Sequence, residues 1–162
     1  MHIVNAKNIT HSKSNLKRLQ TAFGNKDKTN ITSCFSQEYC VFNYQQNVED
    51  FVSSCSECLF ALDDNNEFLG CIASGDCPYM FRNILRNDET YIHSLCVDSK
   101  HRNGSIGTEL MNKISNDRKI ALSVLWDPSN EVVMTRYNKL QEFYARFGLH
   151  ATASSNKLVL FM

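Results

Sequence analysis

The sequence predicts an α/β fold, and three stretches of its 162 residues carry that prediction. At residues 91–97 an alternating apolar run of strand type enters a small basic turn and then an amphipathic helix on Ile106, Leu110 and Ile114. At 58–62 and 68–73 two apolar runs flank Asp63-Asp64-Asn65-Asn66-Glu67, a polar linker of hairpin type. Near the C-terminus Val133, Tyr137, Leu140, Tyr144 and Phe147 recur at four, three, four and three residues, one face of a helix. Gly148 follows, where a left-handed residue ends such a helix.

In chain order, residues 2–6 (His-Ile-Val-Asn-Ala) predict a short first strand. Leu16, Leu19 and Phe23 lie behind a Ser-rich start and before Gly24, the start and stop signals of a helix. Residues 25–47 are polar and Asn-rich, with Phe35, Tyr39, Phe42 and Tyr44 interspersed; those rings pack a loosely structured segment or line a substrate entrance. A second short helix ends near Cys55. The hairpin strands follow, closed by Gly75-Asp76-Cys77-Pro78, and 78–89 form a connection to the fourth strand at 91–97. A fifth strand covers 120–126, stopped by Asp127-Pro128; the last helix starts near Ser129, and 157–161 form a final strand at the sheet edge. With neither repeat nor linker, residues 1–162 are expected to form a single domain.

Composition narrows the function classes. Apolar content of 43% and charged content of 21% are those of an ordinary globular protein. Lys+Arg and Asp+Glu both total 17, so the formal net charge is zero, which argues against nonspecific binding to nucleic acid or a membrane surface. Neither a membrane span nor a signal-peptide core is visible, so the chain is expected in the cytoplasm or nucleus. The seven cysteines are odd in number and scattered, the pattern of reduced thiols. Cys55-Ser56-Glu57-Cys58 has metal-ligand spacing, but no second Cys or His pair completes a tetrahedral site, so no metal is expected.

The chemistry concentrates at 95–110. A strand-to-helix turn leaves successive backbone N–H groups pointing outward at a helix N-terminus, where the dipole favours negative charge. Arg102 adds a fixed cation with several donors, and the sum is a phosphate cradle. Neither Gly-x-Gly-x-x-Gly nor Gly-Lys-Ser/Thr is present. Gly104-Ser105-Ile106-Gly107 also reads as the Gly-x-x-Gly clamp of an RNA-binding KH module, but that loop joins two helices whereas 91–97 alternates like a strand.

Arg102, Ser105 and Gly107 resemble the Arg-x-x-Gly-x-Gly/Ala signature of the GNAT superfamily of acyl-CoA N-acyltransferases, with Ser105 in place of the first glycine. Phe143-Tyr144-Ala145-Arg146-Phe147-Gly148-Leu149 is similar to the family's Phe-Tyr-x-x-x-Gly-Phe ending, Leu149 replacing the aromatic. The order of elements matches the family layout over nearly the whole chain. The resemblance implies a mixed, mostly antiparallel sheet of six or seven strands flanked by helices, with acyl-CoA bound between splayed fourth and fifth strands. It also implies that Arg102, Asn103, Gly104, Ser105, Ile106, Gly107 and Thr108 hold the coenzyme A pyrophosphate. The backbone of Leu95, Cys96 and Val97 would then bind pantetheine and the oxyanion, beside a bulge that frees the strand. Asn138, one residue off the usual asparagine of the last helix, is a further coenzyme A contact.

The implied reaction is direct transfer from acetyl-CoA to a primary amine, of a small molecule, polyamine or peptide, without an acyl-enzyme. An alkyl amine with pKa about 10.4 is protonated at pH 7, which costs roughly 4.6 kcal/mol before chemistry starts. A positioned base is therefore useful, worth on the order of 10²–10⁴. His93, the one histidine inside an apolar strand, is the candidate; it stands four residues before Val97, as does a histidine of the serotonin N-acetyltransferase branch that this stretch resembles. The alternative is a histidine that simply fills a strand position. Tyr91, two residues away on the same face, is placed to anchor a water. Tyr144 takes the position of the family's catalytic tyrosine, a general acid for the leaving thiolate, unless it only packs its helix stripe. A catalytically silent acyl-CoA-binding module on the same fold is the competing function, and the protein is expected as a monomer or homodimer.

Overall fold

The computed structural model describes residues 1–10 and 48–162. The first predicted helix and the four aromatics of 25–47 lie outside the described residues. Among those described, the elements are β1 (His2–Asn5), α1 (Ala6–Thr10), α2 (Val48–Ser54), β2 (Glu57–Leu62), β3 (Phe68–Ser74), β4 (Glu89–Val97), α3 (Ile106–Ser115), β5 (Lys119–Leu125), α4 (Glu131–Ala145), β6 (Ala151–Ser155) and β7 (Leu158–Phe161). Short 3₁₀ turns cover Tyr79–Phe81 and Ser99–His101. The strands hydrogen-bond in the order β1-β2-β3-β4-β5-β7-β6, a seven-stranded mixed sheet with helices on it. Two compact units divide the chain: residues 1–76 with 93–116, and residues 77–92 with 117–162. β4 contributes its second half to the first unit and its first half to the second.

In the first unit β1, β2 and β3 form an antiparallel meander, with Phe60 opposite both Val4 and Cys71. β3 is buried at every position and β2 at all but its first, so both faces of these strands are covered. Cys58, Phe60, Leu62, Cys71 and Ala73 meet Ala6 and Ile9 of α1 and Phe51 and Val52 of α2 in one apolar cluster. Phe60 and Phe68 pack edge to face at 5.4 Å, the favoured aromatic geometry. α3 packs on β2 and β3 through Ile106, Leu110, Met111 and Ile114, and Ile106 stands beside Gly70. The predicted hairpin is therefore present, with Asp63 accepting from the N–H groups of Asn65 and Glu67 to close its loop.

In the second unit β4 and β5 are parallel, from Glu89↔Lys119 to Ile92↔Leu122. β7 pairs antiparallel with β5 on one side and β6 on the other. The final strand is thus interior, and β6, which periodicity did not reveal, is its outer neighbour. Asn156 and Lys157 join β6 to β7 with φ of 48° and 62°, the two left-handed residues of a tight hairpin turn. Lys157 is held there by its Nζ on the Asp127 carboxylate at 2.6 Å. α4 starts at Glu131 rather than Ser129, because the Ser129 hydroxyl donates to Asp127 while the Asn130 side chain caps the N–H groups of Val132 and Val133. It ends as predicted: Gly148 has φ 76°, and the Leu149 N–H returns to the Tyr144 carbonyl.

Candidate functional site

The turn after β4 is built by side chains that cap backbone. Asp98, 3% exposed, accepts from the Lys100 N–H and faces His101 Nδ1 at 2.8 Å. Its own N–H donates to the Leu69 carbonyl, tying the turn to β3. Asn103 takes φ 67°, so the left-handed position belongs to an asparagine, which tolerates it better than other side chains. Ser105 has φ −78°, which any residue adopts; the missing family glycine costs this backbone nothing. Its hydroxyl donates to Glu109 Oε1 at 2.6 Å and caps no helix N–H. The first turn of α3 (Ile106, Gly107, Thr108) thus receives no acceptor from the Ser105 side chain. Arg102 is exposed, and its Nε donates to the Val97 carbonyl at 3.2 Å. Lys100, Arg102, Asn103, Gly104 and Ser105 are all exposed, so an anion has access to this edge.

Leu95, Cys96 and Val97 precede that turn, half-buried. Cys96 packs against the α1–α2 cluster, and His93 meets Phe51 of that same cluster edge-on at 6.2 Å. β4 also runs hard against β3. A Cβ on Gly70 would stand 2.6 Å from the Cys96 carbonyl oxygen and 3.3 Å from Val97 Cα.

His93 sits in a cluster that periodicity did not show. Both its ring nitrogens are shut off from solvent. The ring lies where a Cβ on Gly75 would be, 2.8 Å from its Cδ2. His93 acts electrostatically on Cys55, whose own hydrogen bond goes to the Phe51 carbonyl at 3.2 Å. The Cys58 thiol beside it, more than the charge of His93, holds the Cys55 thiol down at about 5 against burial. Cys58 is pushed up in return, by its hydrogen bond to Cys55 and by burial. The Cys-x-x-Cys spacing was visible in the sequence; its histidine partner, a full strand away, was not.

In the second unit Tyr144 is 7% exposed, with its ring 5.2 Å from Phe143 and 6.1 Å from Phe161. Asn138 is exposed on α4. The Tyr91 hydroxyl is engaged with Ser123 Oγ at 2.5 Å, and its residue is 4% exposed. The expected site residues thus fall into groups: His93, Leu95–Val97 and residues 102–108 in the first unit, and Tyr91, Asn138 and Tyr144 in the second. Asp98 and His101, which shape the turn, were missed by the sequence reading; Asp98 ahead of a Ser-Lys pair is the capping signal that finds it.

A profile of the acetyltransferase (GNAT) family matches residues 28–149, three quarters of the chain. The chain belongs to the GNAT acetyltransferase family. Solved structures share its fold at low identity. An aminoglycoside 6′-N-acetyltransferase complexed with coenzyme A is 16% identical, with TM-score 0.64, covering 99% of this chain and 95% of its own. A GNAT-family acetyltransferase from Staphylococcus aureus Mu50 is 14% identical, with TM-score 0.57 and coverage of 98% and 96%. An acyl-CoA N-acyltransferase from Pseudomonas aeruginosa is 15% identical, with TM-score 0.52 and coverage of 99% and 94%. No curated protein matches. No helix among the described residues of this GNAT chain is long and apolar enough to cross a membrane.

Proposed function

We propose that this protein transfers the acetyl group of acetyl-CoA directly to a primary amine. The observation that carries the reading is the uncapped first turn of α3 beside exposed Arg102, within a GNAT chain. Three N–H groups, a helix dipole and a guanidinium suit the two charges of a pyrophosphate. The residues holding it are Arg102, Asn103, Gly104, Ser105, Ile106, Gly107 and Thr108, with Asn138 as an outlying contact. Backbone groups of Leu95, Cys96 and Val97 serve pantetheine by strand-like pairing, the arrangement the family resemblance implies.

The residue roles follow from the two protons that must move. His93 takes the amine proton as general base. The Tyr144 phenol returns a proton to the departing thiolate, a step that suits a donor with pKa about 10. The acceptor is an amine of a small molecule, a polyamine or a peptide. The aminoglycoside enzyme among the structural neighbours acts on an amine by its name, and at this identity it contributes the fold alone.

The test is turnover of acetyl-CoA against a panel of arylalkylamines, polyamines, aminoglycosides and lysine peptides, alongside calorimetric titration with coenzyme A. Binding with turnover of any amine supports the enzyme. Binding without turnover across the panel supports the silent acyl-CoA module, and absence of binding overturns both.

A further inference from the structure

We propose that Asn103 and Gly104 form a self-modifying site: the Gly104 backbone nitrogen cyclises onto the Asn103 amide, which ends as aspartate or isoaspartate in the turn before α3. The reagents are this chain's own atoms and water. Of the chain's asparagines, Asn103 alone precedes a glycine. Among the described residues three exposed asparagines, Asn66, Asn103 and Asn156, take left-handed φ of 62°, 67° and 48°. Asn66 is followed by Glu67 and Asn156 by Lys157, so a side chain flanks the backbone nitrogen that would attack. Backbone conformation and exposure are thus shared, and the residue that follows sets Asn103 apart.

The left-handed position accounts for an asparagine at 103, since asparagine tolerates it better than other side chains. It does not account for Gly104. The φ of Gly104 lies outside the left-handed region, and a Cβ there would meet only the His101 carbonyl oxygen, at 3.5 Å, an ordinary contact. The local effect of the glycine is to leave its own nitrogen uncovered. Cyclisation needs Asn103 Cγ to swing onto that nitrogen, and no hydrogen bond among the described residues holds either group. The residues on both sides are held. Arg102 Nε donates to the Val97 carbonyl at 3.2 Å, and the Ser105 hydroxyl donates to Glu109 at 2.6 Å. An unanchored, exposed Asn-Gly pair therefore stands inside an anchored turn.

The chemistry balances in two steps. The Gly104 nitrogen attacks Asn103 Cγ: a C–N bond forms, the bond from Cγ to the amide nitrogen breaks, and the Gly104 proton leaves with that nitrogen as ammonia. The product is a five-membered succinimide. Water then adds to one of its two carbonyls. Breaking the bond between Cγ and the Gly104 nitrogen gives aspartate. Breaking the bond between the Asn103 backbone carbonyl carbon and that nitrogen gives isoaspartate, whose main chain runs through Cβ and Cγ. One amide and one water thus give one acid and one ammonia, and nothing is oxidised or reduced. Either product sets a carboxylate beside Arg102 and ahead of the first turn of α3, where it opposes a bound anion. Isoaspartate also lengthens the main chain between Arg102 and α3. Weakened coenzyme A binding is the consequence; it rests on the function proposed above, whereas the modification does not.

The chain supplies its own control. Full-length protein is held in warm, mildly alkaline buffer with and without coenzyme A, then digested with endoproteinase Glu-C under mildly acidic conditions. Cleavage after Glu89 and Glu109 releases residues 90–109, where Asn103 is the one asparagine; cleavage after Glu142 releases 143–162, where Asn156 is. The 90–109 peptide should divide into amide, aspartate and isoaspartate forms, the last a substrate of isoaspartyl methyltransferase, while 143–162 stays an amide. Gly104→Ala should lose the conversion, and coenzyme A in the incubation should slow it. Calorimetric titration of the aged protein should show affinity falling in step with the converted fraction, and Asn103→Asp should show that loss without ageing. An unchanged 90–109 peptide, conversion at Asn156 as fast as at Asn103, or parent-rate conversion in Gly104→Ala overturns the assignment; should Gly104→Ala fail to fold, the comparison with Asn156 decides. Converted protein with the affinity of the parent overturns the consequence for coenzyme A. Fresh protein that binds no coenzyme A overturns the function proposed above, and the peptides still decide the modification.

Discussion

Replacing Gly70 with alanine tests whether β3 sets the position of β4, the strand that leads into the turn carrying Arg102. The added Cβ meets the Cys96 carbonyl oxygen at 2.6 Å, where close carbon–oxygen contacts lie at about 3.3–3.6 Å. The shortfall is roughly 0.7–1.0 Å, and the atoms in the way are backbone, Cys96 O and Val97 Cα, so no side-chain rotation relieves it. β4 itself must shift. Overpacking of this kind costs about 1–3 kcal/mol, and for a chain of this size each kcal/mol lowers Tm by roughly 2–4 °C. Because Leu95–Val97 and Arg102 ride on that strand, coenzyme A affinity should fall together with Tm, read by calorimetric titration and thermal melting of the same samples. Gly75→Ala is the control: its Cβ meets the end of the His93 ring at 2.8 and 3.0 Å, and a ring can turn away. It should cost less stability and leave coenzyme A affinity unchanged. Gly70→Ala with the melting temperature and affinity of the parent would refute the close-approach reasoning.

Arg102→Ala should melt like the parent and bind coenzyme A more weakly by about 1.5–3 kcal/mol, the loss of a charge-assisted contact, read by titration. Tyr144→Phe keeps the ring contacts with Phe143 and Phe161, so Tm should hold while turnover falls; Tyr144→Ala should cost about 3–5 kcal/mol in a denaturant melt. Parent turnover by Tyr144→Phe would leave Tyr144 a packing residue. His93→Ala should lose kcat/KM at neutral pH and recover part of it at high pH, where the amine is deprotonated in solution; an unaltered pH profile removes it as the base. The Lys157 ammonium, with the Ser129 hydroxyl and N–H, holds the Asp127 carboxyl down at about 2. Its folded pKa is depressed, so its contribution to stability is present above the ordinary value of 3.8 and is lost as pH falls towards 2; Asp127→Asn should flatten the acid limb of Tm against pH.

What the sequence shows and hides follows the range of the interactions. The hairpin, the strand–turn–helix and the α4 stripe rest on contacts between near neighbours, and each stands within one or two residues of its predicted place. β6 escaped because Ala-Thr-Ala-Ser-Ser carries no apolar alternation; its pairing is set by β7 and by a left-handed Asn-Lys turn without the usual glycine. The need for glycine at 70 and 75 was invisible for another reason. The atoms that exclude a side chain belong to β4, some twenty residues on, and only register brings them together. A still longer separation, from residue 55 to residue 93, hid His93 from Cys55.

The turn after β4 shows how a departure from a motif can leave its shape intact. In the family signature a glycine stands where this chain has Ser105, and the usual explanation of a loop glycine is backbone freedom. Here that explanation fails, since Ser105 has φ −78° and the left-handed residue is Asn103. Asn103 is a residue type that accepts the conformation with a small penalty. The turn's shape is instead held from its first residue, by Asp98 capping Lys100 and facing His101, and by the Asp98 N–H on the Leu69 carbonyl. A serine at 105 then adds only a hydroxyl, and Glu109 one helical turn on takes it at 2.6 Å. The N–H groups of the first turn thus stay clear of their own chain's side-chain cap, which is the property an anion site requires.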